Sequence, residues 1–283
     1  MPPSKPAATH LRNGQKLSSP WGPPHKDSFV LKGAMLFLAL GGKVYRPTRD
    51  LDLLGFGSAE VGDVVARIAE ICSTPANDGI VFAAMSIEAE RIREDADYEG
   101  VRVWVPASLD GAKVTIQIDV GFGDDVDPAP VERPFPTLLP LDPPVVRAYP
   151  LEAVIAEKFQ AMVVLGIANS RMKDLYDLWT FATTEQFDIR QLARSIQATF
   201  ERRQTPLPET APTALTDEFL LDPAKRAQWE AFCRRLGLRA SPSLEVVGRK
   251  IREFLMPVLE RARKPADQIL VWEPAGPWRE PER

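Results

Sequence analysis

Little in this chain speaks for a secreted or membrane protein. It carries two cysteines in 283 residues, Cys72 and Cys233. They lie far apart and match no metal-ligand spacing, so a reducing compartment without a disulfide framework is expected. Long hydrophobic runs are missing as well. The longest strictly apolar run is AMLFLAL at 34–40, against about 20 residues for a membrane-spanning helix. The N-terminus lacks the charged start and apolar core of a signal peptide. A cytoplasmic protein with no membrane partner is therefore expected. An excess of basic charge is absent too: the net charge is −4, which argues against bulk nonspecific binding of nucleic acid. That charge is unevenly spread. Residues 190–264 hold 15 Lys and Arg against 9 Asp and Glu, a local surplus of 6 that leaves −10 on the remainder. An acidic half beside a basic half suits an enzyme that binds metal and touches phosphate. Solvated helix faces give the same counts, and charge alone favours that plainer reading.

What is present reads as an ordinary globular composition, 45% hydrophobic and 26% charged, with room for one large domain or two small ones. Residues 1–26 are rich in Pro, Ser and Lys without periodicity and read as a loose tail. SFVLKG at 28–33 predicts a strand running into a glycine. AMLFLAL predicts a buried helix ended by Gly41 and Gly42, and RDLDLLGF at 49–56 a second strand. Val61, Val64, Val65, Ile68 and Ile71 fall at helical spacing over 60–73. Strand character returns at 79–85, 100–108 and 113–124. The last alternates, with Val114, Ile116, Ile118 and Val120 on one face and Thr115, Gln117 and Asp119 on the other. LDGAK between them marks a turn, so 100–120 predicts a hairpin. A Pro-rich stretch at 128–150 closes this half. Helices are then expected at 151–166, 171–183, 189–202, 216–236 and 243–263, with a linker at 205–214. The fold class is α+β: a mixed-sheet core over 27–149, a helical domain over 150–264 and a tail over 265–283.

Several residues carry chemistry. Asp50 and Asp52, in YRPTRDLDLLGFG, share one strand face by period-2 geometry, and carboxylates that close repel unless a cation sits between them. Magnesium prefers such oxygens together with substrate phosphates. The plain alternative is a solvated strand edge. Asp119 lies on the polar face of its strand. If that strand pairs beside 49–54, three carboxylates converge, a set that can hold two metals about 3.5–4 Å apart for in-line phosphoryl transfer. Lys158 falls in the middle of the apolar stripe Leu151, Val154, Ile155, Met162 and Leu165, so it either snorkels or has an anion to meet: a nucleotide phosphate or a buried acid. Glu157 lies off that stripe, as a solvated group or the partner of a nearby base. Arg171, Asp174 and Asp177 share a helix face, read most simply as an intrahelical ladder and otherwise as a group that orients Lys158 and the nucleotide. Gly33 sits where a strand hands over to a helix, and there backbone N–H groups can approach a phosphate.

The order of these pieces is more specific than any one of them. Gly33, then Arg46-x-Thr48-x-Asp50-Leu-Asp52, then IQIDVGFGD, then LEAVIAEKFQAM, then RMKDLYDLW resembles the AbiEii/AbiGii toxin family, part of the DNA polymerase beta-like nucleotidyltransferase superfamily. The resemblance spans about residues 28–182. It implies a metal-dependent nucleotidyltransferase with two Mg2+ ions and an NTP substrate. It further implies the toxin of a toxin–antitoxin or phage-defence pair, with the tRNA 3′ end as acceptor and a winged-helix antitoxin as partner. By position it implies Asp50, Asp52 and Asp119 as metal ligands, Asp119 also as a candidate base, and Lys158 and Asp174 as further catalytic groups. Lys32, Gly33, Arg46, Thr48, Lys158, Arg171 and Lys173 would bind the nucleotide. The chain departs from many superfamily members at Ala34, where a second Gly or a Ser is usual; a Ser hydroxyl would add a phosphate contact. The alternatives are the same fold acting on a protein or small-molecule hydroxyl, or an inactive relative that binds nucleotide or a partner.

Overall fold

The computed structural model describes residues 25, 27–41, 50–75, 78–95, 98–123, 126, 128–137, 142–237 and 242–281. All of the expected N-terminal tail except His25 lies outside them, as do Arg46 and Thr48. The first half runs β1 (Phe29–Leu31), α1 (Leu36–Gly41), β2 (Asp50–Gly55), α2 (Val61–Cys72), β3 (Ile80–Phe82), β4 (Glu88–Asp95), β5 (Tyr98–Leu109), β6 (Ala112–Gly121), β7 (Val131–Pro134) and β8 (Val145–Ala148). These strands form one mixed sheet in the order β3-β5-β6-β2-β1-β8-β7, with β4 also paired to β5. β5 and β6 are the predicted hairpin. Their two-residue turn, Asp110-Gly111, has φ of +48° and +81°, as a type I′ turn requires. β2 pairs with β1 antiparallel and with β6 parallel.

Alternation sorts the sheet into two apolar faces. Phe29, Leu31, Leu53, Val101, Val103, Val105, Ile118 and Val120 pack with Val64 and Ile68 of α2. Val30, Leu54 and Ala148 point the other way, into a larger core shared with the second half. Asp50 and Asp52 have the parity of Leu54, so they look toward the helical half.

That half comprises α3 (Leu151–Leu165), α4 (Met172–Thr184), β9 (Phe187–Asp188), α5 (Ile189–Arg202), α6 (Asp217–Leu220), α7 (Pro223–Arg235), α8 (Leu244–Arg263), β10 (Val271–Trp272) and β11 (Trp278–Arg279). The joint is direct: Tyr149 N–H donates to the Leu31 carbonyl at 2.9 Å, and α3 begins two residues later. Side-chain caps start α5, α7 and α8, from Asp188, Asp222 and Ser243. Such caps satisfy N–H groups that the first turn leaves orphaned.

Three expectations change. The helix expected at 216–236 is two, α6 and α7, because Asp222 caps a new start and Pro223 at its first position cannot continue the old one. The Pro-rich 128–150 stretch contributes two strands, β7 and β8. The 265–283 segment, expected as a tail, adds β10 and β11 to a three-stranded sheet with β9. Trp272 is fully buried and donates Nε1–H to the Ala182 carbonyl at 2.7 Å. Trp278 stacks on Phe254 at 5.8 Å between ring centroids. Trp272→Ala is expected to cost about 3–5 kcal/mol of stability in urea unfolding, the usual loss for a buried aromatic; a loss under about 1 kcal/mol would contradict this packing.

Candidate active site

The β2–β6 register sets Asp52 directly opposite Asp119, and Asp50 opposite Gln117. Both acids of β2 therefore share a face with Asp119, and the convergence expected from sequence is met at the backbone. Asp52 is held among like charges. Burial, the neighbouring Asp119 and then Asp50 push its carboxyl above the ordinary aspartate range, and Lys173 and Lys32 pull it back in part. An acid so placed favours any arriving cation.

Gly33 is fixed by this carboxylate. Its φ is +64°, in the left-handed region, and a Cβ there would stand 1.8 Å from Asp52 Oδ2. No other residue can turn the chain here without evicting the carboxylate. Lys32 N–H, one residue earlier, donates to the Asp52 carbonyl at 2.8 Å. Ala34 is buried in the core, at 4% exposure, so a side chain there faces apolar neighbours.

Asp119 is less available than expected. Arg102 grips it in a fork, Nε to Oδ1 at 2.8 Å and Nη2 to Oδ2 at 2.7 Å, and Gln117 Nε2 stands 3.3 and 3.4 Å from the two oxygens. Among the described residues no group of three or more His, Cys, Asp or Glu side chains is arranged to hold a metal ion. The Arg102 fork already engages both oxygens of Asp119 within the fold. Arg102 was legible in principle. Counting back from the two-residue Asp-Gly turn places it across from Asp119.

Lys158 meets acids. Its Nζ lies 2.5 Å from Asp174 Oδ1 and 3.0 Å from Asp177 Oδ2. The face expected to form a ladder within α4 instead crosses to α3. Burial alone would drive Lys158 to release its proton, but Asp177 and Asp174 reverse that and hold it above the usual lysine value. Burial likewise opposes the Asp174 charge, yet Lys158, with Lys173 and Arg171, keeps its carboxyl below the ordinary range. Arg171 occupies the N-cap position of α4, and its N–H donates to Asn169 Oδ1 at 2.8 Å. Lys173, exposed on the first turn, lies within electrostatic reach of both Asp52 and Asp174.

Lys32 has a second anchor that the sequence pattern missed. Its Nζ stands 3.4 Å from Glu157 Oε1 and 4.6 Å from the Tyr149 ring centre. Tyr149 OH donates to the same Glu157 oxygen at 2.5 Å. Glu157 is thus the partner of a base, one of the roles its place off the stripe allowed. A separate open cleft of about 330 Å³, lined by Gln197, Phe200, Glu201 and Thr205 among others, contains none of these residues.

The Lys158 cluster sets a pH dependence. Asp174 is depressed in the fold, so its contribution is present above the unfolded value of about 3.9 and is lost as pH falls through the lower folded value. Lys158→Met strands buried carboxylates and is expected to cost about 3–5 kcal/mol at neutral pH. Part of that loss should return on mild acidification, as Asp174 takes a proton. Unfolding curves of the two proteins across the acid range check this; a loss independent of pH would contradict it.

No curated protein matches the sequence. Two solved structures match: a candidate nucleotidyltransferase from H. pylori at 14% identity, covering 85% of this chain and 90% of that one with a TM-score of 0.46, and JHP933 from Helicobacter pylori at 13%, covering 84% and 86% with a TM-score of 0.45. The model of the family described as nucleotidyl transferase AbiEii toxin, type IV toxin–antitoxin system, matches residues 20–255. The chain therefore belongs to the AbiEii family of nucleotidyltransferase toxins.

Proposed function

We propose that this nucleotidyltransferase is metal-dependent and transfers NMP from an NTP to an RNA acceptor, with the 3′ end of tRNA as its substrate. The observation that carries the reading is the in-register pairing of Asp52 with Asp119, with Asp50 on the same face. The donor set is hard oxygen, and the like charges around Asp52 are only partly compensated. This fits Mg2+ held by Asp50 and Asp52 together with substrate phosphates, and Asp119 is the third acid within reach. A bound divalent ion would supply charge neutralisation at the phosphates and a more acidic acceptor hydroxyl.

The remaining roles fall to the chain. The acceptor oxygen attacks the α-phosphorus, its proton passes to a carboxylate of the site, with Asp119 as the candidate, and pyrophosphate leaves. Lys173 and Lys32 face the triphosphate. Gly33 keeps the strand–helix turn clear for it, with Arg46, Thr48 and Arg171 proposed as further nucleotide contacts. Lys158, engaged by Asp174 and Asp177, acts by fixing the start of α4, and so aims Lys173 at the acids. Catalysis of this kind is positioning and electrostatic stabilisation. The basic surplus in 190–264 favours RNA over a protein or small-molecule hydroxyl only mildly. A winged-helix antitoxin, a cytoplasmic setting and a role in phage defence complete the proposal; among the described residues no helix is long and apolar enough to cross a membrane.

The test incubates the protein with Mg2+, each labelled NTP in turn and total tRNA. Label is expected on tRNA with one or more NTPs, and lost, by more than about 100-fold, in folded Asp50→Ala and Asp52→Asn proteins, as for removal of a transition-state electrostatic group. Full transfer by Asp50→Ala would sink the mechanism. Transfer to protein instead of tRNA would change the acceptor.

A further inference from the structure

We propose that Arg102 is a displaceable stand-in for the divalent cation at Asp119: it neutralises this carboxylate and must let go before a metal ion can use it. The inference rests on the metal reading above and goes beyond it. Four charged residues lie in one row across the sheet. Glu90 on β4 is opposite Arg102 on β5, Arg102 is opposite Asp119 on β6, and Asp119 is opposite Asp52 on β2. Arg102 is the cation among these four, and it spends its fork on both oxygens of Asp119.

The geometry permits exchange. The Asp119 side chain is 10% exposed and fixed on its strand, whereas that of Arg102 is 32% exposed. Its guanidinium can therefore swing outward without opening the core. A destination exists on the outer side, since Glu90 is exposed, directly across β5, and already within electrostatic reach of Arg102. A divalent ion held by Asp50 and Asp52 would repel the guanidinium and attract Asp119. Both effects push the same way, from the Arg102–Asp119 pair toward Asp119 on the metal and Arg102 beside Glu90. Until then Arg102 competes with the ion for the same lone pairs, so it lowers the affinity of the site for metal.

The experiment measures Mn2+ binding to the full-length, nucleotide-free protein by isothermal titration, with folding checked by thermal unfolding. Arg102→Met is expected to bind Mn2+ about ten-fold more tightly, the worth of one charge-assisted pair removed from competition. Arg102→Lys keeps the charge but loses the fork, so it should fall between; it carries the test if the Met protein does not fold. The gain should vanish in Arg102→Met/Asp119→Asn, because no carboxylate is then released. Equal or weaker Mn2+ binding by the Arg102 variants, or a gain that survives Asp119→Asn, would make the fork a fixed strut and overturn the proposal while leaving the metal reading intact. No Mn2+ binding by wild type or variants would remove the metal reading and the proposal with it.

Discussion

Parallel pairing of β2 with β6 forces the Asp52 and Asp119 carboxylates side by side, and the arrangement of the surrounding residues follows from the charge this concentrates. Two acids one strand spacing apart, Asp119 buried and Asp52 half-buried, with Asp50 two residues away, are unfavourable by themselves. The fold tolerates them through cations brought from three directions. Arg102 takes Asp119 from β5, Lys173 approaches Asp52 from the start of α4, and Lys32 approaches from the end of β1. Gly33 is the steric counterpart, since only a residue without Cβ leaves room for the Asp52 carboxylate.

The helical half serves this site through one buried ion cluster. Lys158 on α3 binds Asp174 and Asp177 on α4, which locks the first two helices to each other. Because α3 starts directly from β8 beside β1, the same contact sets where Lys173 sits relative to the acids. Such a cluster contributes little net stability, since burying three charges is costly, and it is strongly destabilising to break. Its value lies in fixing an orientation. The Glu157–Lys32–Tyr149 group adds a second tie across the same joint.

Local pattern revealed the elements whose period is clean. α2, α3, α5, α8 and the β5–β6 hairpin lie within a few residues of where spacing and turn signals put them. β4 escaped because EAERIRED is nearly all charge; it is held as a strand by its register on β5, a non-local cause. The 265–283 segment read as a tail because its strands are two residues long; what holds them is non-local, the pairing of β10 with β9 and the packing of Trp272 and Trp278 on Phe254 of α8. The shared face of the three acids and the place of Gly33 at the strand–helix turn were legible from spacing and order. Their partners were not, because Lys32 and Glu157 lie 125 positions apart and only the tertiary fold brings them together. Asp119 itself was found while its Arg102 clamp was not, although the Asp-Gly turn contained the register needed to infer it.

The central claim is that the charge gathered around Asp52 is a cation site built at a cost to the stability of the fold. Thermal unfolding of wild type and Asp52→Asn, each with and without Mn2+, tests it most directly. The account predicts that Asp52→Asn alone is at least as stable as wild type, because it removes a carboxylate whose ionisation the fold opposes. It also predicts that Mn2+ raises the unfolding temperature of wild type but not of the variant, as a ligand of the native state must. A variant that is less stable and still gains as much from Mn2+ as wild type would contradict it.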